Sequence, residues 1–271
     1  MKVVLITGCS SGIGAALAQA FHHQGCRVVA TARRLESLEH LQQQGMAVHA
    51  LDVTDNSQIS QVIDTVIASE GTIDILINNA GYGLMGPLIE MCLEEMHAQF
   101  TTNAFAPMAI AQTVAPHMKT QGKGLIVNIG SISGLVPTPF AGAYCASKSA
   151  LHALTETLRM ELAPFGLQVV LVQPGAVQSN FGATATVKVQ QLLKSNSWYG
   201  DRAKAIVNRA NASQVDASSV EAIAQSLVQK LLRPSPPPII RLGKKSLWLP
   251  LIKQLLPTAL LDRILRRKFG L

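Results

Sequence analysis

Short apolar runs alternate along the chain with longer stretches in which apolar residues return every three or four positions. The runs fall at 2–7 (KVVLIT), 26–31 (CRVVAT), 47–51 (AVHAL), 73–78 (IDILIN), 124–130 (GLIVNIG), 167–172 (LQVVLV) and 238–242 (PIIRL). Nearly continuous apolar character over so few residues predicts strands covered on both faces, as in a parallel sheet. The stretches between them predict amphipathic helices near 13–24, 34–44, 56–69, 92–118, 142–164 and 216–232. Strand–helix alternation with right-handed crossovers predicts an α/β fold: one doubly wound, seven-stranded parallel sheet flanked by helices. RPSPPP (233–238) reads as a stiff entry to the last strand, and the less regular 178–215 as loop plus helix over a substrate site.

Length and composition agree with this picture. A chain of 271 residues, 48% hydrophobic and 4% aromatic, suits one large, tightly packed α/β domain. Charge adds something. Up to residue 240, fifteen Lys and Arg balance fifteen acids, whereas 241–271 holds eight Lys and Arg against Asp262 alone. A neutral body with a basic tail rich in Leu, Ile, Pro and Trp points to anionic lipid before nucleic acid. The four cysteines show no metal or disulfide spacing and read as free thiols of a reducing cytosol; His22 and His23 read as a helix face, and no metal is expected. The opening MKVVLITG runs straight into a glycine turn, which marks a first strand and not a signal peptide. No uninterrupted run of about 18 apolar residues predicts a transmembrane helix.

Two stretches carry candidate chemistry. TGCSSGIG (7–14) joins the first strand to the first helix, where Gly8, Gly12 and Gly14 permit a tight turn and close backbone approach. The free N–H groups of the following helix would face a pyrophosphate. The second is YCASK (144–148), which puts one of only three tyrosines four residues before a lysine. That spacing sets both side chains on one helical face, about 5–6 Å apart at Cβ. Such a pair is either a surface accident or a proton donor whose pKa the ammonium lowers.

Taken in order, TGCSSGIG, LDVTD (51–55), NNAG (78–81), Asn103, Ser131, YCASK and PG (174–175) resemble the motifs of the short-chain dehydrogenase/reductases, in their compact branch. The resemblance is strong over 1–180. It implies a Rossmann-type fold, a nicotinamide dinucleotide, and interconversion of a carbonyl and an alcohol. Tyr144 becomes the acid–base group, Lys148 the group that lowers its pKa and holds the nicotinamide ribose, Ser131 the donor to the substrate oxygen, and Asn103 the link from Lys148 to solvent through water. Ser133 is a rival to Ser131, but the family spacing favours Ser131. The coenzyme would rest on Gly8, Ser10, Ser11, Gly12, Ile13 and Gly14, with Asp52 and Val53 flanking the adenine. Asn79, Ala80 and Gly81 would lie near the ribose, and Pro174, Gly175 and Val177 would pass the carboxamide. At the end of the second strand, ATARR carries Ala32 where an acid would bind the ribose hydroxyls, followed by Arg33 and Arg34. A guanidinium grips a 2′-phosphate through two hydrogen bonds, so NADP(H) is expected, with Arg33 the main contact.

The resemblance also implies a homodimer or homotetramer. It comes closer still to 17β-hydroxysteroid and retinol dehydrogenases and 1-acyl-dihydroxyacetone-phosphate reductases. The expected organisation is a catalytic domain over 1–242, with 178–215 as its substrate region, and a basic amphipathic extension over 243–271. That extension packs over the active site or on a partner subunit, lies on an anionic membrane face, or is ordinary core with a solvated basic end. Pocket candidates are Tyr82, Gly83, Leu84, Met85, Leu135, Val136, Pro137, Phe140, Phe181 and Tyr199, mostly apolar, with no fixed charge to grip a polar acid. The expected substrate is therefore lipophilic: a steroid, retinoid, long-chain aldehyde, acyl-glycerone phosphate or 3-oxoacyl thioester. A cytoplasmic enzyme of lipid metabolism, peripheral on the membrane's cytoplasmic face, fits these traits. The competing class is a sensor or scaffold that binds NADP(H) without catalysis. A dehydratase or epimerase on the same fold is disfavoured by the TGxxxGxG loop.

Overall fold

The computed structural model describes residues 1–178, 197–212, 214 and 216–271. Seven parallel strands form one sheet: β1 (Val3–Thr7), β2 (Arg27–Ala32), β3 (Ala47–Ala50), β4 (Ile75–Asn78), β5 (Gly124–Ile129), β6 (Leu167–Pro174) and β7 (Ile239–Leu242), in the order 3-2-1-4-5-6-7. All seven predicted strands are present, with ends that differ by a residue or two. Every residue of β1 and β4 is buried, as nearly continuous apolar runs require.

Helices α1 (Gly12–His23), α2 (Glu39–Gln42, continuing a 3₁₀ turn, Leu35–Leu38), α3 (Asn56–Glu70), α4 (Leu93–Phe100), α5 (Ala106–Gln121), α6 (Gly142–Leu162), α7 (Ala203–Asn211) and α8 (Val220–Leu231) surround the sheet. One face is covered by α1 and α8, through Leu17, Phe21, Leu227 and Val228; the other by α3 and α5, through Ile59, Ile63, Ile110 and Val114. The strand order reverses between β1 and β4, and ligands bind such sheets at the carboxyl ends of the strands flanking that reversal.

The single helix expected over 92–118 is interrupted. A wide π turn, Thr101–Phe105, separates α4 from α5. Pro107 has no N–H to give the Asn103 carbonyl in the α-helical pattern, and the wider turn accommodates the loss. Beyond β7, α9 (Trp248–Leu255) and α10 (Thr258–Lys268) form the extension. Among the described residues no helix is long and apolar enough to cross a membrane.

Candidate active site

The carboxyl ends of β1 and β4 are stitched together. Thr7 Oγ1 accepts from the backbone N–H groups of Asn79 (3.0 Å) and Ala80 (3.1 Å), while Asn79 Nδ2 donates to the carbonyls of Thr7 (2.9 Å) and Gly8 (3.0 Å). The turn between them takes φ +74° at Gly8 and +60° at Gly12, a region that side chains disfavour. A Cβ on Gly8 would stand 2.8 Å from Ala80 Cα, and one on Gly14 2.3 Å from the Gly8 carbonyl oxygen. The loop therefore lies flat over β4 and leaves a backbone-lined cradle at the start of α1. The first turn of α1 carries no acid, so its open N–H groups and positive dipole end suit an anion. These features fit a dinucleotide pyrophosphate.

A cavity of about 810 Å³ runs from this cradle across the sheet edge. Of the expected coenzyme contacts, Gly8, Ser10, Ser11, Gly12, Ile13, Arg33, Asp52, Val53, Asn79, Ala80, Gly81, Tyr144, Lys148, Pro174, Gly175 and Val177 all line it. Two do not. Gly14 is buried under the turn, and Arg34, though exposed beside Arg33, is absent from the lining. The Asp52 carboxylate is held by Thr54, whose hydroxyl donates at 2.7 Å.

Tyr144, the expected acid–base group, comes from α6. Its placement follows from a buried polar relay: Asn78 of β4 donates to Asn128 of β5 (2.9 Å), and Asn128 donates to Thr155 of α6 (2.9 Å). This relay fixes the helix against the strands. Tyr144 and Lys148 are both largely buried and line the cavity. Lys148 Nζ donates to the Ile129 carbonyl at 2.7 Å, and Tyr144 shares a hydrogen bond with Ser131. Ser131 Oγ also accepts the Ser133 N–H at 3.1 Å, so the rival serine supports it. Asn103 is fully buried and does not line the cavity; it clasps the Tyr82 backbone, accepting at 3.1 Å and donating at 2.9 Å, and donates to Ser147 at 3.1 Å.

The electrostatics correct one expectation. Lys148 was expected to lower the pKa of Tyr144. Instead burial pushes the phenol up to about 12, opposed mainly by its bond to Ser131 and more weakly by the Arg209 charge. Burial also brings Lys148 down to about 8. Desolvation of the phenolate dominates, and the Lys148 charge is not among the influences on it. Beneath Ser131 lies a residue that sequence reasoning passed over. His152 accepts the Ser131 N–H at Nε2 (3.4 Å) and fits between Gly130 and Gly134, where added Cβ atoms would each approach it to 2.6 Å. Burial, with the Lys148 and Arg241 charges, brings its pKa down to about 4.

At the far end, Tyr82, Gly83, Met85 and Val136 line the cavity as expected. Leu84 packs away with Met91 and Ala143; Phe140 and Tyr199 stack edge to face at 5.6 Å behind the wall. Leu135 and Pro137 are absent from the lining, and Phe181 lies outside the described residues. The extension supplies the rest: Lys245, Leu249, Leu265, Lys268 and Phe269 all line the cavity, and Phe269 is buried in one cluster with Met85, Phe140 and Tyr144. The expected absence of a fixed charge is wrong. Arg209 of α7 lines this end, buried, with Nε donating to Thr138 Oγ1 at 2.7 Å. Nothing in the AKAIVNRAN segment marks that arginine as buried.

The short chain dehydrogenase family profile matches residues 2–190. The NADPH-dependent 1-acyldihydroxyacetone phosphate reductase of Schizosaccharomyces pombe is 38% identical over 213 residues, 78% of this chain and 72% of the relative. The 3-ketodihydrosphingosine reductase of Bacteroides thetaiotaomicron is 32% identical over 257 residues, 92% and 93% of the two chains. The crystal structure of a short-chain dehydrogenase from Streptomyces avermitilis superposes with a TM-score of 0.80 at 30% identity, covering 100% of this chain and 96% of that one.

Proposed function

The chain belongs to the short-chain dehydrogenase family and is an oxidoreductase of the carbonyl–alcohol pair; within that family we propose an NADP(H)-dependent reductase of a ketone or aldehyde on a lipophilic molecule. The observation that carries this reading is the convergence of Ser131, Tyr144 and Lys148 on the cavity that holds the glycine cradle. When bound, the nicotinamide supplies a hydride to the carbonyl carbon. Tyr144, protonated at neutral pH with its pKa near 12, donates the proton that the reduced oxygen takes up. Ser131 hydrogen-bonds that oxygen and keeps the phenol aimed at it. Lys148 orients the ribose and, as a cation beside the phenol, helps return the proton. Reduction uses the phenol as proton donor, and the reverse reaction uses the phenolate.

NADP(H) is preferred over NAD(H) because Arg33, and no acid, stands where β2 opens into the cavity. Asn103 acts as a positioning residue, holding the Tyr82 backbone and Ser147 against α6. Residues 1–242 form the catalytic unit, and 243–271 close the substrate end. Leu247, Trp248, Leu251 and Leu255 are exposed beside Lys253, and Arg263, Arg266 and Arg267 follow on α10. This face suits an anionic bilayer surface on the cytoplasmic side, apolar residues down and cations on the headgroups.

The test is NADPH consumption against a panel of lipophilic carbonyls. Tyr144→Phe is expected to lose about 10³-fold in turnover while still binding NADPH. Turnover retained in that variant, or no carbonyl reduced by the wild type, overturns the reading. For the tail, vesicles with phosphatidylserine are expected to sediment the wild type, neutral phosphatidylcholine vesicles much less of it, and Trp248→Glu to reduce the binding.

A further inference from the structure

We infer that the substrate carries an anionic group, a phosphate or carboxylate a few bonds from its carbonyl, and that Arg209 holds it. The inference rests on the reductase reading above and narrows its substrate class. Arg209 is 7% exposed, yet no carboxylate pairs with it. Among the described residues the ion pairs are Arg27–Glu70 and Lys244–Asp216, and residues 179–196, 213 and 215 include no Asp or Glu. Thr138 accepts one of its five N–H donors, and the Phe269 ring centroid lies 5.6 Å from the guanidinium carbon. Neither neutralises a buried cation. An unpaired charge withdrawn from water is costly, and a well-placed counter-charge offsets that cost.

The surroundings say where that counter-charge comes from. Arg209 lines the cavity, so the partner enters as a ligand. Lys268, over the Phe269 ring, and Lys245, in the stretch packed on Gly175, line the same cavity, whereas Asp52, after β3 at the coenzyme end, is the one acid among the described lining residues. Cations in a low-dielectric cleft concentrate an anionic ligand there. Arg209 also packs among the residues around Tyr144: Phe269, its ring partner, shares a buried cluster with Tyr144, and Thr138 lies in the loop leading into α6. A carbonyl placed at the phenol therefore puts an anion a few bonds away within reach of the guanidinium. Met85, Val136, Leu249 and Leu265 leave an apolar path for the remainder of an amphiphile. Among lipophilic carbonyl compounds, an acyl-glycerone phosphate combines these features most compactly; neutral steroids and retinoids leave Arg209 unpaired, and an amine beside the carbonyl is repelled.

The direct test is binding to the NADPH-loaded protein, followed by nicotinamide fluorescence, with dodecyl phosphate, dodecanoate and dodecanol below their micelle concentrations. At least one anion is expected to bind about 10–100-fold more tightly than the alcohol, the scale of a charged hydrogen bond, and the one that does so names the source. Arg209→Gln is expected to abolish that ratio and Arg209→Lys to keep part of it. NADPH affinity and melting temperature serve as controls on folding. Turnover adds a second readout: 1-palmitoyl-dihydroxyacetone phosphate against its dephosphorylated form, and 4-oxododecanoate against its methyl ester. The Gln variant is expected to raise KM for the anionic member of the favoured pair. Equal binding of anion and alcohol by the wild type overturns the inference, as does a Gln variant that weakens both alike or weakens NADPH in proportion. Anion-selective binding with no turnover of any carbonyl keeps the Arg209 site and sinks the reductase reading instead.

Discussion

The two ends of the cavity are built by opposite means. The end proposed for the coenzyme is mostly backbone: a glycine turn over β4, pinned by the Thr7 and Asn79 side chains, and the open start of α1. The end proposed for the substrate is side chain, drawn from the 136–141 loop, the start of α6, α7 and the extension, and it closes on one aromatic cluster around Phe269. A backbone cradle tolerates almost no added atom, because nothing in it can rotate away. A side-chain wall can repack, so one fold can keep its coenzyme and change its substrate.

This contrast is open to attack at several points. The largest effect is expected at Gly14→Ala, whose methyl would meet the Gly8 carbonyl at 2.3 Å. NADPH binding should fall below detection by calorimetry, with about 1–3 kcal/mol lost in urea unfolding; normal binding would show that the cradle yields. Next comes Arg33→Ala, for which NADPH is expected to bind about 10–100-fold more weakly and NADH unchanged, measured by fluorescence titration. A matching loss for NADH would place Arg33 outside phosphate recognition.

His152, under Ser131, gives a pH test where the two ends meet. Its pKa is about 4 when folded and 6.5 in the reference state. Between these values the unfolded chain binds more protons, so stability is present above about 6.5 and drains away as pH falls toward 4, by up to ~1.4 kcal/mol per unit. His152→Gln is expected to flatten that slope in urea melts between pH 6.5 and 4. The smallest effect is expected at Phe269→Ala: a severalfold rise in KM for long-chain carbonyls, with NADPH affinity unchanged. If NADPH affinity fell as well, the two ends would not be separable.

The same division explains what could be read in the chain beforehand. All seven strands and the cradle were legible because local pattern dictates them: apolar runs for burial on both faces, glycines for a turn no other residue fits. Tyr144 and Lys148 were legible as neighbours, but not the direction of the phenol's pKa, because sequence spacing gives a pair and not its desolvation. The break at Thr101–Phe105 was signalled by Pro107, which an amphipathic period alone overrides. Arg209 gave no signal, since its burial depends on Phe269, sixty residues further on, folding back over α7. Asn78 and Asn128 stood out as polar residues in apolar strands, yet their mutual bond needed the parallel register that sets them side by side.

One contact sets a rule for how this chain can drift. Gly130 and His152 face each other so closely that a methyl at 130 would come within 2.6 Å of the imidazole and 3.0 Å of Leu171. A descendant that keeps the ring is bound to glycine there. One that trades the ring for a smaller side chain gains room for alanine at 130, so the two positions exchange volume as a couple and neither change is expected to become fixed alone.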